Sequence, residues 1–333
     1  MTVPLSVLDL SPVAQGSTVG DALRGTITLA KEVEALGYHR FWLAEHHSMP
    51  GIASAAPSIM IGQVAAATER IRVGSGGVML PNHAPLVVAE QFGTLDALFP
   101  DRIDLGIGRA PGTDQVTAHA LRRQADQLNE DEFPQQLLHL RAFVDNSFPD
   151  DHPYRAITAT PGLGAKFAVW LLGSSTYSAQ VAGLLGLPFA FARHFSPAQT
   201  MPALRTYREA FRPSEVLDEP YAMVTVSVVA AESDERAHYL AAPLKLTMAR
   251  LRAGKPGRFP SPEEAAANPL TPEQEAIVRP SAAGYIVGGP DTVQTELQEL
   301  LALTDADEIM VSTMMHSLDD RIRSYKIVGD VSL

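Results

Sequence analysis

Three places in the chain combine residue types that can do acid–base or anion-binding chemistry. In FWLAEHHSMPG, Phe41 to Gly51, an apolar run stops on Glu45, His46 and His47. A carboxylate beside two imidazoles offers proton donors and acceptors near neutral pH, where an unperturbed imidazole titrates. Adjacent side chains of extended backbone face opposite ways, so Glu45 and His47 share one face and His46 takes the other. The spacing is not H-E-x-x-H, which sets two histidines on one helix face. A metal here needs ligands from elsewhere, with His83, His194 and His316 as the candidates. The plainer reading of Glu45 and His47 is a polar cap tying a strand to a loop.

GIGRAPG, residues 106–112, reads G-x-G-x-x-x-G rather than the dinucleotide pattern G-x-G-x-x-G, and Pro111 stands where a helix would open. It fits a strand end whose glycines let a flat ligand approach the backbone. Arg109 is then placed either to pair with an anion, for which guanidinium is suited, or in an ordinary surface salt bridge. In LGSSTYSAQVAGLLG a strand ends at Gly173, Ser174 and Ser175 follow, and a helix opens near Thr176 or Tyr177. Such a start is either an ordinary N-cap or a phosphate cradle of backbone N–H groups and hydroxyls. Together with Arg109 it makes one phosphate site. In SGGVMLPNHAP, Gly76 and Gly77 interrupt an apolar run, marking a bulge or the close approach of a flat ring. Met79, Met314 and Met315 either line that ring or fill the core.

The elements that must position these residues alternate regularly. Short apolar runs at 5–10, 40–46, 71–80, 102–108, 167–173, 188–194, 221–231 and 307–313 are nearly all followed by stretches of helical period, TAHALRRQ among them. Their near-continuous apolar character suits a parallel sheet buried on both faces. Eight such units predict an α/β fold, a (β/α)8 TIM barrel with insertions, spanning residues 1–333 as one domain; an open doubly wound sheet is the competitor. The insertions fall at about 147–165 and 252–283, the second being a lid or a surface excursion. VGGPDTVQTELQELL restarts a helix before the last strand. Catalysis in a barrel sits at the carboxyl ends of the strands. There the polar exceptions collect: Ser11, Glu45 to His47, Ser75, Arg109, Ser174, Ser175, Arg193, His194, Thr313 and His316.

Composition narrows the classes. The 46% apolar content supports a large core, and a net charge of −12 disfavours nucleic acid and anionic membranes. Without cysteine, disulfides, thiolate metal sites and cysteine nucleophiles are excluded. The N-terminus MTVPLSVLDL lacks signal-peptide character, and no apolar run approaches the ~20 residues of a membrane span. A soluble cytoplasmic protein is expected.

FWLAEHH, RIRVGSGGVMLPNHAPLVVAEQF, RIDLGIGRAPGTD, LGSSTYSAQVAGLLGLPFAFA and DADEIMV, in this order, resemble the bacterial luciferase-like flavin monooxygenases, and more narrowly their single-chain subgroup. The resemblance implies a barrel that binds reduced FMN from a separate flavin reductase. It implies activation of O2 through a flavin C4a-hydroperoxide, which oxidises a small hydrophobic substrate. His46 is the implied catalytic residue. Ser75, Gly76 and Gly77 are implied at the flavin ring, with a non-prolyl cis peptide at Gly76–Gly77. Arg109, Ser174, Ser175, Ser178 and the Tyr177 backbone are implied at the phosphate, 252–283 as a mobile lid, and a homodimer as the assembly. Gly108 stands where luciferase α chains carry a cysteine, so light emission is not implied. Hydride transfer with F420, a non-catalytic flavin carrier and a metal-dependent hydrolase are the alternatives.

Overall fold

The computed structural model describes residues 3–110, 112–121 and 132–333. Among the described residues the nine parallel strands are β1 Leu5–Asp9, β2 Arg40–Leu43, β3 Arg72–Met79, β4 Ile103–Gly108, β5 Ala168–Gly173, β6 Phe189–Phe191, β7 Ala222–Ala230, β8 Tyr285–Gly288 and β9 Glu308–Ser312. Strands β1 to β7 and β9 close into an eight-stranded barrel through the β6–β7 and β1–β9 pairings. The protein is a (β/α)8 TIM barrel.

β8 is the departure from the expected pattern. It pairs with the second half of β7, Ser227 opposite Tyr285 through Ala230 opposite Gly288, while β6 pairs only with Phe189↔Ala222 to Phe191↔Val224. β6 is too short to cover β7, and β8 takes the remaining edge. The expected helix does restart, at Pro290, and the four strand residues Tyr285–Gly288 precede it.

The outer helices are α1 Val19–Ala35, α2 Pro57–Ala67, α3 Pro85–Leu98, α4 Gln115–Leu121, α5 Phe133–Asp145, α6 Thr176–Leu184, α7 Thr200–Ala210 and α8 Asp234–Arg252. α9 Pro262–Ala267, α10 Pro272–Ala282, α11 Pro290–Thr304 and α12 Leu318–Gly329 follow. Local chemistry starts several of them: Thr18 and Asp21 form a capping box on α1, and Ser233 caps α8 through Arg236 N. Pro111 and the Arg122–Gln124 end of the expected TAHALRRQ helix lie outside the described residues. The 252–283 segment carries α9 and α10 rather than irregular chain, each opened by a Ser or Thr cap and a following proline.

The barrel interior divides into two ends. At the amino ends of the strands sits a buried polar cluster. Arg40 bonds Asp104 at 2.9 Å and Glu308 at 3.1 Å, and Arg72 reaches Asp104 at 2.6 Å. Trp42 Nε1 donates to Asp104 and the Tyr221 hydroxyl to Glu308. Above it lies an apolar layer in which Trp42 and Trp170 meet edge to face at 5.2 Å, packed with Leu8, Met223 and Met310. The carboxyl ends of the strands are left for the site.

Candidate active site

Two cavities open at the carboxyl ends of the strands. One is a cleft of ≈ 930 Å³ running over β3, β4 and β5, and the other a pocket of ≈ 1010 Å³ with a mostly apolar lining under α8. Leu10, His46, His194 and Phe195 line both, so the cavities meet at two imidazoles.

The opening triplet divides as strand alternation requires, although β2 itself ends at Leu43. Glu45 is fully buried and accepts hydrogen bonds from His47 Nε2 at 2.9 Å, His83 Nε2 at 2.9 Å and the Met79 amide at 2.9 Å. Burial pushes its carboxyl up, but the bonds from His83 and His47 outweigh that and hold it below the ordinary carboxylate range. Glu45, His47 and His83 thus brace the loop ends, which is the polar-cap arrangement. His46 takes the opposite side, its amide fixed by the Ser54 carbonyl at 2.9 Å and its ring between the cavities.

His194 stands beside it from the segment after β6, its amide held by the Thr225 carbonyl at 3.2 Å and its ring 4.1 Å from that of Phe195. Both histidines keep part of their surface open to the cavities, yet the Nδ1 atoms of both are sealed and have no hydrogen-bond partner among the described residues. Burial drives each imidazole down to about 4; His47 adds to the effect on His46, and His46 to that on His194. At neutral pH both are neutral, able to accept or donate a hydrogen bond but holding no standing positive charge.

The sign of the resulting pH effect follows from linkage. The folded chain refuses these protons down to about pH 4, whereas the unfolded chain takes them up from about pH 6.5. Stability is therefore fully present above pH 6.5 and is lost as pH falls toward 4, by at most about 1.4 kcal/mol per pH unit for each ring. Urea unfolding midpoints will fall between pH 7 and 5, and the His46→Gln/His194→Gln double variant will show a shallower fall. An equal slope in the variant would place the acid sensitivity elsewhere.

The cleft gathers most of the other expected residues. Gly76, Gly77, Arg109, Ser174, Ser175 and Ser178 line it. The Gly76–Gly77 peptide is cis. A Cβ on Gly77 would lie 2.8 Å from the Gly106 carbonyl oxygen, and one on Gly76 would press on Leu8 Cδ1 at 2.6 Å and Trp42 Cβ at 3.2 Å, so a side chain at either position would make its neighbours move. α6 begins at Thr176 with Ser175 as N-cap, and no side chain caps its first turn. The Arg109 guanidinium lies 4.6 Å over the Tyr177 ring, which draws positive charge to that helix end.

Other expected positions lie outside both cavities. Ser75 is fully buried and donates to the Gly106 carbonyl at 2.8 Å. Gly74 and Gly76 face the barrel interior toward Trp42, so alternation turns Ser75 outward. Arg193 Nη1 donates to the Gly284 carbonyl, Thr313 to the Val228 carbonyl, and His316 Nε2 meets the Gln15 carbonyl. Ser11 is buried under the Thr26 hydroxyl. Of the methionines, Met79 lines the cleft and Met314 the apolar pocket, while Met315 is buried against α8. Among the described residues no group of three or more His, Cys, Asp and Glu could hold a metal ion, and no helix is long and apolar enough to cross a membrane. His194 entered the sequence reading as a metal candidate and as a polar residue at a strand's carboxyl end, with no role beside His46, and Phe195, 56% exposed at the junction, did not enter it at all. The R-H-F run directly after an apolar strand was the available signal.

The model of the luciferase-like monooxygenase family matches residues 3–307. The chain is 50% identical over 327 residues to protein YvbT of Bacillus subtilis (strain 168), covering 98% of this chain and 96% of that one. It is 46% identical over 330 residues to a luciferase-like monooxygenase of Escherichia coli (strain K12), covering 99% and 97%. The crystal structure of apo-MsnO8 superposes with a TM-score of 0.90 at 39% identity over 98% of both chains. Two more distant structures share the barrel fold, each covering 98% or more of both chains. They are the oxygenating constituent of 3,6-diketocamphane monooxygenase from Pseudomonas putida in complex with FMN (18% identity, TM-score 0.73) and an F420-dependent secondary alcohol dehydrogenase (15%, 0.69).

Proposed function

The chain belongs to the luciferase-like monooxygenases, and on that premise we propose that it uses reduced FMN, delivered by a separate flavin reductase, and O2 to oxygenate a small hydrophobic substrate. The observation that carries this reading is the junction: a cleft suited to a flat phosphorylated ligand meets an apolar pocket at His46 and His194.

The chain's own residues fit that cofactor. The uncapped first turn of α6, with Ser174, Ser175 and Ser178, offers N–H groups and hydroxyls to a phosphate, and Arg109 stands over Tyr177 at the same end. The side-chain-free surface at Gly76, Gly77 and Gly108 admits a planar ring against β3 and β4. When bound, reduced flavin supplies the two electrons that activate O2. His46 then holds a neutral imidazole at the junction and accepts or returns a proton on the side of the ring that lines the cavities. The pocket under α8 holds the substrate's apolar body and keeps water from the reacting atoms. Pro256, Gly257 and Phe259, from the expected lid segment, form part of its wall. That wall is stitched to the loop after β1 by Phe259 N to Val13 O at 2.9 Å and Gln15 N to Phe259 O at 2.8 Å.

The test is anaerobic titration with FMNH2 and, separately, with reduced F420, followed by 18O2 and mass spectrometry of the product. Incorporation of one labelled oxygen with FMNH2 supports the proposal; tight F420 binding without incorporation would replace it with hydride transfer. Arg109→Ala is expected to weaken FMN about 10- to 100-fold while changing riboflavin affinity less than threefold. Equal loss for both ligands would remove Arg109 from the phosphate.

A further inference from the structure

The inward face of β7 changes character along its length. Met223 belongs to the tryptophan layer, Thr225 lines the cleft and Ser227 lines the apolar pocket, as side chains two apart on one strand share a face. β9 runs the same way, with Met310 in the tryptophan layer and Ser312 in the pocket. The two strands pair with Ser227 opposite Ser312, so these side chains stand abreast at the strand spacing of about 4.8 Å. β8 continues the row on the other side, where Tyr285 lies opposite Ser227 and also lines the pocket. Three hydroxyl residues from three neighbouring strands thus form one row in a mostly apolar wall.

Ser227 is 6% exposed and Ser312 4%. Neither hydroxyl has a hydrogen-bond partner among the described residues. Neither is sealed off as the histidine Nδ1 atoms are, and the surface they keep faces the pocket. A buried polar group left unpaired is costly, and a few convergent polar groups in an apolar site are what orient a ligand. The ionisable side chains that line the pocket are His46, His194 and Tyr285. Both imidazoles are neutral at neutral pH and burial raises the Tyr285 phenol, so the wall offers donors and no charge. A carboxylate placed there would have no counter-ion.

We propose that Ser227 and Ser312 together hold a neutral oxygen acceptor of the substrate, a carbonyl of ketone, ester or amide type, and that the pocket selects against carboxylates. The proposal rests on the reading of the pocket as the substrate site and narrows the substrate class. A carbonyl oxygen has two lone pairs, and two hydroxyls abreast can donate one bond to each. Both serines line the pocket and not the cleft, which makes them specificity residues set apart from the cofactor side.

The experiment equilibrates cofactor-free protein with methyl ketones of five to ten carbons and with the 2-methyl-1-alkenes that replace C=O by C=CH2 at nearly equal shape. Headspace gas chromatography reads the free ligand. At the best-binding length, Ser227→Ala/Ser312→Ala is expected to lower the ketone-to-alkene affinity ratio about tenfold, and each single variant about threefold. Alkene affinity, unchanged or raised, reports that the pocket is intact. The alkanoate of the same length at pH 7 is expected to bind the parent protein at least tenfold more weakly than the ketone. A ratio unchanged within threefold in the double variant, no ketone binding at any length, or an alkanoate as tight as the ketone would overturn the proposal. FMN titration of the same samples reads the cofactor separately: failure of the parent protein to bind FMN counts against the monooxygenase reading, and the ketone comparison stands without it.

Discussion

Arg40→Met will lower the free energy of unfolding by about 3–5 kcal/mol, read as a large fall in the urea midpoint with the slope unchanged. Arg40 is the shared cation of two carboxylates that have no access to water, Asp104 and Glu308. Asp104 keeps Arg72 when Arg40 is removed, but Glu308 is left with hydroxyl donors, Ser6 and Tyr221. An uncompensated carboxylate in that position must either remain charged at high cost or take up a proton. Adding Glu308→Gln to the variant removes the orphaned charge and is expected to return part of the loss. A fall below about 1 kcal/mol would mean that water reaches the cluster.

His46→Ala will leave FMN affinity within about threefold and reduce oxygenated product by about 10²- to 10⁴-fold, the range spanned by general acid–base groups. The measurement is product formed per FMNH2 consumed, which separates failure to bind from failure to direct the oxygen atom. Reduced flavin is still expected to be oxidised, because the cleft residues proposed for the ring and the phosphate remain. His46→Gln, which keeps a hydrogen-bonding side chain without a titratable nitrogen, is expected to recover little. Unchanged product per FMNH2 in either variant would remove His46 from the chemistry and leave His194 as the junction's reacting imidazole.

Much of this organisation is legible in the amino-acid order, and the exceptions have physical causes. The eight barrel strands announce themselves because parallel strands buried on both faces are continuous apolar runs. β8 does not, because it is four residues long and alternates between buried and half-buried positions. It is strand only because β6 stops at Phe191 and leaves part of β7 unpaired. That is a tertiary fact with no local signal. α9 and α10 are a different kind of miss. Ser261-Pro262-Glu263-Glu264 and Thr271-Pro272-Glu273-Gln274 both read as cap, first-turn proline and acidic or amide third position. The many small residues and prolines of the segment obscured a capping signal that was present.

At the site, alternation along the chain correctly separates His46 from Glu45 and His47, and the same rule explains why Ser75 faces away while Gly76 lines the cleft. Arg109 and the serines of α6 come together from neighbouring strands because β4 and β5 pair in register, Gly106 opposite Trp170. The meeting of His46 and His194 under α8 joins the segments after β2 and β6. Such a meeting depends on how the barrel closes and how α8 lies across its rim, which no spacing along the chain records.

The polar cluster at one end of the barrel and the tryptophan layer above it make the structure a cup rather than a pipe. Both cavities open at the same end of the barrel. The cleft and the pocket share the threshold formed by Leu10, His46, His194 and Phe195. A guest in either cavity therefore rests against side chains that also wall the other, so each is a neighbour to the next.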